Sequence, residues 1–174
     1  YIEFHYTRQI RMDYTKFPRP QDDGKASHLL NIHLPSIALK NQQGNLLNLK
    51  RSDTFRLIIY FYPMTGNPNK ILPQNWDQIP GATGCTSETC TFRDNYEELI
   101  KLNAIPIGIS TQSVQDIQEM TNRLLIPYDV LSDTDCSLMK ALNIPNFKNK
   151  NKIYFKRITL IVEKNIVKKV FYPI

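Results

Sequence analysis

The pattern of apolar and polar residues predicts alternating strands and helices along most of the chain. Residues 56–62 and 104–110 are apolar almost throughout and rich in β-branched or aromatic side chains, as is typical of strands buried on both faces of a sheet. Residues 114–124 and 136–142 instead carry apolar side chains at helical spacing. Strands that alternate with helices in this way indicate the α/β class.

Two hairpins are predicted near the ends of this α/β region. Apolar segments at 34–39 and 46–49 flank the sequence NQQGN, whose glycine is typical of a turn. Segments 158–163 and 166–172 flank a Lys-Asn pair in the same manner. Together with a short strand at 127–131, these elements predict a mixed central sheet flanked by helices.

A glycine-containing turn followed by a helical pattern marks residues 81–94, whose sequence is GATGCTSETCTFRD. We predict that one helix begins at about Cys85, with Thr83 or Thr86 as its N-cap, and continues to about residue 102. A cysteine at a helix start faces unpaired backbone N–H groups and the positive end of the helix dipole. Both features favour the thiolate, which is the nucleophilic form, so Cys85 is the candidate nucleophile.

A second cysteine, Cys90, lies in the same predicted helix, with four residues between it and Cys85. On an intact helix their Cα atoms would be roughly 8.5 Å apart, whereas a disulfide requires less than ~7 Å. The two cysteines can therefore bond only if the first helical turns unwind, which suits a cycle in which Cys85 is oxidised and Cys90 captures it. The spacing is equally compatible with two half-buried cysteines that have no chemistry, since free cysteine often packs as a small apolar residue.

The sequence GCTSETCTFRD at 84–94 resembles the GCT-x-E-x-C-x-FRD signature of Q-type peroxiredoxins, also called bacterioferritin-comigratory proteins, of the AhpC/TSA superfamily. The resemblance covers roughly residues 34–170. Its further landmarks follow in the same order and are FYP at 61–63, GIS at 108–110, LSD at 131–133 and Arg157. The resemblance implies a thioredoxin-like fold.

It also implies a peroxidase cycle in which Cys85 is the peroxidatic cysteine and Cys90 the resolving cysteine. The Cys85 thiolate would attack hydrogen peroxide or an organic hydroperoxide, and the resulting sulfenic acid would form an intramolecular disulfide with Cys90. Arg157 matches by position the arginine that bonds the thiolate and the peroxide, Arg93 is a weaker candidate, and Glu88 would have an orienting role. A thioredoxin-like dithiol would reduce the disulfide, and no metal or organic cofactor is required.

One departure from the family pattern lies just before Cys85. The usual loop carries a threonine three residues before the cysteine, where this chain has Ala82, and Thr83 is one residue closer. Either Thr83 takes that role along a changed loop path, or the hydroxyl contact is missing. A long insertion at 64–79 also separates the FYP motif from the turn, and it predicts either a roof or docking loop or a surface excursion anchored by Trp76.

Length and composition fit one globular domain, since the chain has 174 residues of which 41% are hydrophobic. Residues 1–27 show no sustained period and predict an extended N-terminal arm, followed by a peroxiredoxin domain at 28–174. The chain begins without methionine and stops just after a predicted strand, where relatives carry a last helix. We therefore expect a missing natural start and a trimmed or disordered C-terminus.

Charge and cysteine usage bear on partners and compartment. The net charge is +6, but its densest segment, KNKNK at 148–152, favours a solvated loop over a nucleic-acid surface. No segment reaches the length and hydrophobicity of a membrane span. Three cysteines do not form a secreted disulfide framework, so a reducing cytoplasm is the simplest compartment. Cys136 is predicted to be a packed thiol outside the cycle, and the chain to be a monomer or homodimer.

Two other functions stay open at the level of sequence. A copper-delivery protein with a thioredoxin-like fold would use two nearby cysteines and a distant histidine. His5, His28 and His33 all precede the cysteines and lack a second ligand at metal spacing, which counts against this function. A redox-sensing interaction module would keep the cysteines without rapid turnover, and Ala82 together with the long loop leaves room for it.

Overall fold

The computed structural model describes residues 14–52 and 55–174. Much of the predicted arm, including His5, lies outside the described residues, so the division between residues 27 and 28 stays a prediction. In the described part, the helices and strands have these bounds: β1 Ala38–Asn41, β2 Leu46–Asn48, β3 Arg56–Phe61, α1 Cys85–Asp94, α2 Tyr96–Lys101, β4 Ala104–Ser110, α3 Val114–Leu124, β5 Val130–Ser132, α4 Ser137–Leu142, β6 Asn146–Asn149, β7 Lys152–Phe155, β8 Ile158–Glu163 and β9 Ile166–Phe171. Short 3-10 helices lie at Tyr14–Lys16, Ser27–Leu29 and Trp76–Gln78.

A seven-stranded mixed sheet, in the order β2-β1-β5-β4-β3-β8-β9, forms the centre of the fold. Strands β3, β4 and β5 are parallel to one another, and helices lie in the connections between them. The pairs at both edges are antiparallel, which matches the two predicted hairpins. The predicted α/β class with a mixed sheet flanked by helices is therefore confirmed.

Strand β3 sends its side chains alternately into two cores, because successive residues of a strand point to opposite faces. Ile59 and Phe61 belong to the larger core, which includes apolar residues of α4. Tyr60 and Tyr62, on the other side, belong to a second core that contains Cys85 and apolar residues of α3. Burial on both faces explains why this segment is apolar without alternation.

Helix α3 has the predicted bounds because its ends carry local signals. The Ser113 hydroxyl accepts a hydrogen bond from the Asp116 N–H at 3.1 Å and so caps the N-terminus, and Leu125 adopts a left-handed conformation after the last turn. The single helix predicted after Cys85 is wrong in extent. Asn95, with φ −106° and ψ 11°, divides it into α1 and α2.

The KNKNK segment is not a plain loop, because most of it belongs to the antiparallel hairpin β6–β7. Lys150 adopts φ 52° in the turn. The hairpin is held by aromatic packing, since Phe147 and Tyr154 stack at 5.6 Å and both lie against Trp76.

Strands β1 and β5 also begin later than the sequence pattern predicts.

Among the helices of residues 14–52 and 55–174, none has both the length and the apolar character needed to cross a bilayer.

Candidate functional site

Helix α1 begins at Cys85, as predicted, but its N-cap is Gly84 and not a threonine. Gly84 adopts φ 93°, a left-handed conformation that glycine accepts without the steric cost that a side chain would add. No side-chain hydrogen bond caps the helix, so the predicted cap by Thr83 or Thr86 is wrong. The glycine turn thus delivers the backbone directly into the helix with Cys85 as its first residue.

Cys85 is buried, with 2% of its surface exposed, and its Sγ donates a weak hydrogen bond to the Ala82 carbonyl at 3.6 Å. Burial raises the pKa of the Cys85 thiol to about 11. The Arg157 charge and the Met64 backbone N–H act in the opposite direction, and the Glu88 carboxylate raises the pKa further. The helix start acts in the expected direction, because the Cys85 backbone N–H lowers the pKa, but the loss of hydration is larger and the net shift favours the thiol in this conformation.

Arg157, just before β8, joins the cysteine turn to α1. Its Nε and Nη2 lie 3.1 and 3.0 Å from Oε2 of Glu88, and its Nη1 donates to the Thr83 carbonyl at 3.2 Å. Only 14% of the Arg157 side chain and 10% of the Glu88 side chain are exposed. Burial raises the pKa of Glu88, and the guanidinium lowers it. Glu88 thus fixes the orientation of the guanidinium whose charge favours the Cys85 thiolate.

Thr83 contacts the site through its backbone carbonyl and not through its hydroxyl. Its carbonyl binds Arg157, whereas its hydroxyl forms no hydrogen bond among the described residues. Ala82, at the position where the family motif has threonine, is buried and offers a carbonyl to both the Cys85 thiol and the Trp76 indole N–H, the latter at 3.1 Å. At this position the turn thus offers a backbone acceptor and no side-chain hydroxyl.

The other two cysteines are less buried than Cys85. Cys90 is half-buried within α1, and all three thiols are free. Cys136 is half-buried and lines a cavity of about 540 Å³ together with residues of the segment 64–73. Arg93, the weaker candidate, pairs with Asp94 at 2.7 Å and donates to the Leu124 carbonyl at 2.8 Å.

The insertion at 64–79 is anchored by Trp76. The indole is 4% exposed and packs with Ala82 and Tyr154 in a small core of its own. Trp76 therefore anchors the insertion, as predicted, and the choice between a roof or docking loop and a surface excursion stays a prediction. The same contacts also fix the turn that carries Cys85, because Ala82 belongs to both.

Sequence reasoning missed a cluster of tyrosines that packs with Cys85. The Tyr60 and Tyr128 hydroxyls lie 2.9 Å apart, and Tyr128 donates to the Thr89 carbonyl of α1 at 2.8 Å. Tyr62 completes the cluster and stacks on Tyr60 at 5.6 Å. The available signal was the period of β3, which places residues 60 and 62 on one face of the sheet.

Known proteins resemble the chain along most of its length. Residues 79–170 match the AhpC/TSA family. The putative peroxiredoxin bcp of Coxiella burnetii is 28% identical over 142 residues, which are 80% of this chain and 84% of that protein. The chloroplastic peroxiredoxin Q of Populus jackii is 31% identical over 111 residues, or 64% of this chain, and the match spans only 45% of the poplar protein.

Solved structures agree with these relatives. Peroxidoxin BcpB of Mycobacterium tuberculosis has a TM-score of 0.66 at 24% identity, with 82% of this chain and 84% of that chain covered. A bacterioferritin comigratory protein of Xanthomonas campestris, whose structures are described in terms of its alkyl peroxide reduction activity, has a TM-score of 0.63 at 22% identity and covers 80% and 85% of the two chains. These likenesses confirm the predicted thioredoxin-like fold.

The family match, the named relatives and the fold agree with the resemblance carried by residues 84–94. The chain therefore belongs to the AhpC/TSA family, and its resemblance to Q-type peroxiredoxins is confirmed.

Proposed function

We propose that this protein is a thiol-dependent peroxidase in which Cys85 is the nucleophile. One arrangement carries the proposal: Cys85 is the first residue of α1, the Arg157–Glu88 ion pair lies against the same turn, and Cys90 follows within the same helix. A cysteine beside a fixed guanidinium has the groups that an attack on an O–O bond requires. Hydrogen peroxide and organic hydroperoxides are the proposed substrates.

The first step breaks the O–O bond of the peroxide. The Cys85 thiol loses its proton, the thiolate attacks the terminal oxygen, an S–O bond forms, and the other oxygen leaves as water or an alcohol after taking up a proton. Arg157 and backbone N–H groups at the turn stabilise the negative charge as it moves from sulfur to the leaving oxygen. The product is a sulfenic acid on Cys85.

The second step uses Cys90 as the resolving thiol. Its sulfur attacks the Cys85 sulfenic acid, a disulfide forms and water leaves. Because both cysteines belong to α1, the first turns must unwind before the sulfurs can meet. A thioredoxin-like dithiol then reduces the disulfide by exchange. We propose a reducing cytoplasm as the compartment and a monomer or homodimer as the assembly.

Peroxide consumption coupled to a thioredoxin system tests this function. Cys85→Ser should abolish turnover, because a serine hydroxyl is not appreciably ionised near neutral pH, and Cys136→Ser should leave it nearly intact. Wild-type turnover in the Cys85→Ser variant would overturn the assignment of the nucleophile. A wild type that consumes no peroxide although every thiol is reduced would overturn the proposal that the protein is a peroxidase.

The two alternatives are less well supported. The named relatives are peroxiredoxins, which does not favour a redox-sensing module without turnover. Within residues 14–52 and 55–174, no three His, Cys, Asp or Glu side chains are grouped as a metal site would require. Copper titration of the reduced protein tests the copper-delivery alternative, which requires stoichiometric binding.

A further inference from the structure

The Tyr62 hydroxyl is buried and has no hydrogen-bond partner among the described residues. The whole side chain is inaccessible to solvent. A buried hydroxyl without a partner is unusual in native proteins, because it has lost its hydration without compensation. Burial also raises the pKa of Tyr62, so the phenol keeps its proton throughout the neutral range. Tyr62 therefore carries a proton that it can donate, but it has no acceptor among the described residues.

The neighbouring tyrosines show that the cluster can satisfy hydroxyl groups. Tyr60 and Tyr128 bond to each other, and Tyr128 also donates to a backbone carbonyl of α1. The Ser110 hydroxyl lies close enough to Tyr62 to favour its ionisation, but it is not placed for a hydrogen bond with it. Ser110 Oγ instead donates to Gln112 Oε1 at 3.5 Å and accepts from the Gln112 N–H at 3.3 Å. The unpaired state of Tyr62 is thus particular to that one position.

Cys85 is the neighbour whose charge changes during the proposed reaction. The two residues belong to the same buried core, and a negative charge on Cys85 raises the pKa of Tyr62. In the thiol form, Cys85 donates to the Ala82 carbonyl. Once the thiol ionises, that carbonyl is an unfavourable partner, and the buried sulfur needs donors in place of water.

We propose that the Tyr62 hydroxyl donates a hydrogen bond to the Cys85 sulfur when it is a thiolate, and so acts as a catalytic residue. Tyr62 would supply a side-chain donor at a site where Ala82 has no hydroxyl and where the Thr83 hydroxyl forms no hydrogen bond among the described residues. The inference rests on the proposed nucleophilic role of Cys85. It assigns a reaction partner to a hydroxyl that otherwise only costs stability in the resting state.

The pH dependence of Cys85 alkylation tests this inference without using peroxide. Iodoacetamide would be applied to a background that carries Cys90→Ser and Cys136→Ser, so that only Cys85 reacts. Tyr62→Phe should lower the alkylation rate near neutral pH about tenfold, because a hydrogen bond to a charged group is lost. Its melting temperature should not fall, since the removed hydroxyl has no partner.

Tyr60→Phe is the matched control, because Tyr60 has the same ring on the same face of β3 but a bonded hydroxyl. It should lower the melting temperature and leave the alkylation profile unchanged. An unchanged profile in a folded Tyr62→Phe variant would overturn the inference. If that variant does not fold, NMR of the wild-type protein with labelled tyrosine rings replaces it. The Tyr62 resonance should shift over the pH range in which Cys85 loses its proton. A Tyr62 resonance that does not change over that range would overturn the inference.

This test is separate from that of the proposed function. A wild type that consumes no peroxide, but whose Cys85 alkylation depends on Tyr62, would overturn the peroxidase and leave the hydrogen bond standing. A wild type that consumes peroxide, but whose Cys85 alkylation does not depend on Tyr62, would overturn the hydrogen bond and leave the peroxidase standing.

Discussion

Replacing Arg157 with methionine should slow the oxidation of Cys85 by peroxide and raise the pKa of its thiol. The guanidinium is the strongest of the influences that lower this pKa, and burial already raises it to about 11. Loss of one hydrogen bond to a charged group corresponds to ~1.5–3 kcal/mol, or roughly ten- to hundredfold in rate. Stopped-flow measurement of the first oxidation step gives the rate, and alkylation against pH gives the pKa.

The same change also leaves Glu88 without its cation. Removing one partner of a buried ion pair typically costs ~3–5 kcal/mol, so a slow variant could reflect a disturbed turn and not a lost donor. The double variant Arg157→Met with Glu88→Gln separates these effects, because it removes the unpaired carboxylate. If Arg157 acts on the reacting atoms, the double variant regains stability but stays slow.

Arg56→Met is the matched control, since Arg56 also pairs with a glutamate, Glu163 at 2.6 Å, but both side chains are nearly half exposed. It should change neither the oxidation rate nor the Cys85 pKa. An oxidation rate of Arg157→Met that equals wild type within error would refute the reasoning and transfer the role to Arg93 or to no side chain.

Three other predictions concern the fold around the site. Oxidation to the Cys85–Cys90 disulfide should unfold the segment 81–92. Hydrogen exchange should then show amides 86–91 less protected than in the reduced protein and amides 57–60 unchanged. Equal protection in both states, with the disulfide confirmed by mass spectrometry, would contradict local unfolding. Because the Cys85 pKa is raised from 9.0 to about 11, its contribution to stability should be complete below pH 9 and lost, by roughly 3 kcal/mol, as pH rises through 11. Urea unfolding of wild type relative to Cys85→Ser measures this contribution, and a difference independent of pH would disprove it. Gly108→Ala should destabilise by ~1–3 kcal/mol because its Cβ would lie 2.5 Å from the Tyr60 hydroxyl oxygen, whereas Gly66→Ala, with no contact below 3.7 Å, should have a smaller effect in the same unfolding assay.

Much of the secondary structure follows from local patterns. Strand β4 and helix α3 have the predicted bounds, and β3 differs by one residue. Periods of 2 and 3.6 residues depend only on which faces are buried, and a cap such as Ser113 acts within one helical turn. The β6–β7 hairpin was missed because its strands are stabilised by Trp76, which is distant in sequence.

The candidate site divides in the same way between local and distant contributions. The spacing of Cys85 and Cys90 is a property of one helix, so the distance between them follows from helix geometry alone. The contact of Arg157 with Glu88 and the Thr83 carbonyl does not, because β8 reaches the turn only through the sheet. The resemblance to peroxiredoxins selected Arg157, but not its partners.

The sequence by itself determined the α/β class, the helix start at Cys85 and the order of the motifs, because these depend on neighbours along the chain. Only the tertiary structure decided the ionisation of Cys85, which rises in pKa although a helix start favours the thiolate. It also decided that the Tyr62 hydroxyl is buried without a partner among the described residues. Both outcomes depend on burial by residues brought together from distant parts of the chain. For Cys85, the resulting desolvation outweighs the local effect of the backbone N–H groups at the helix start.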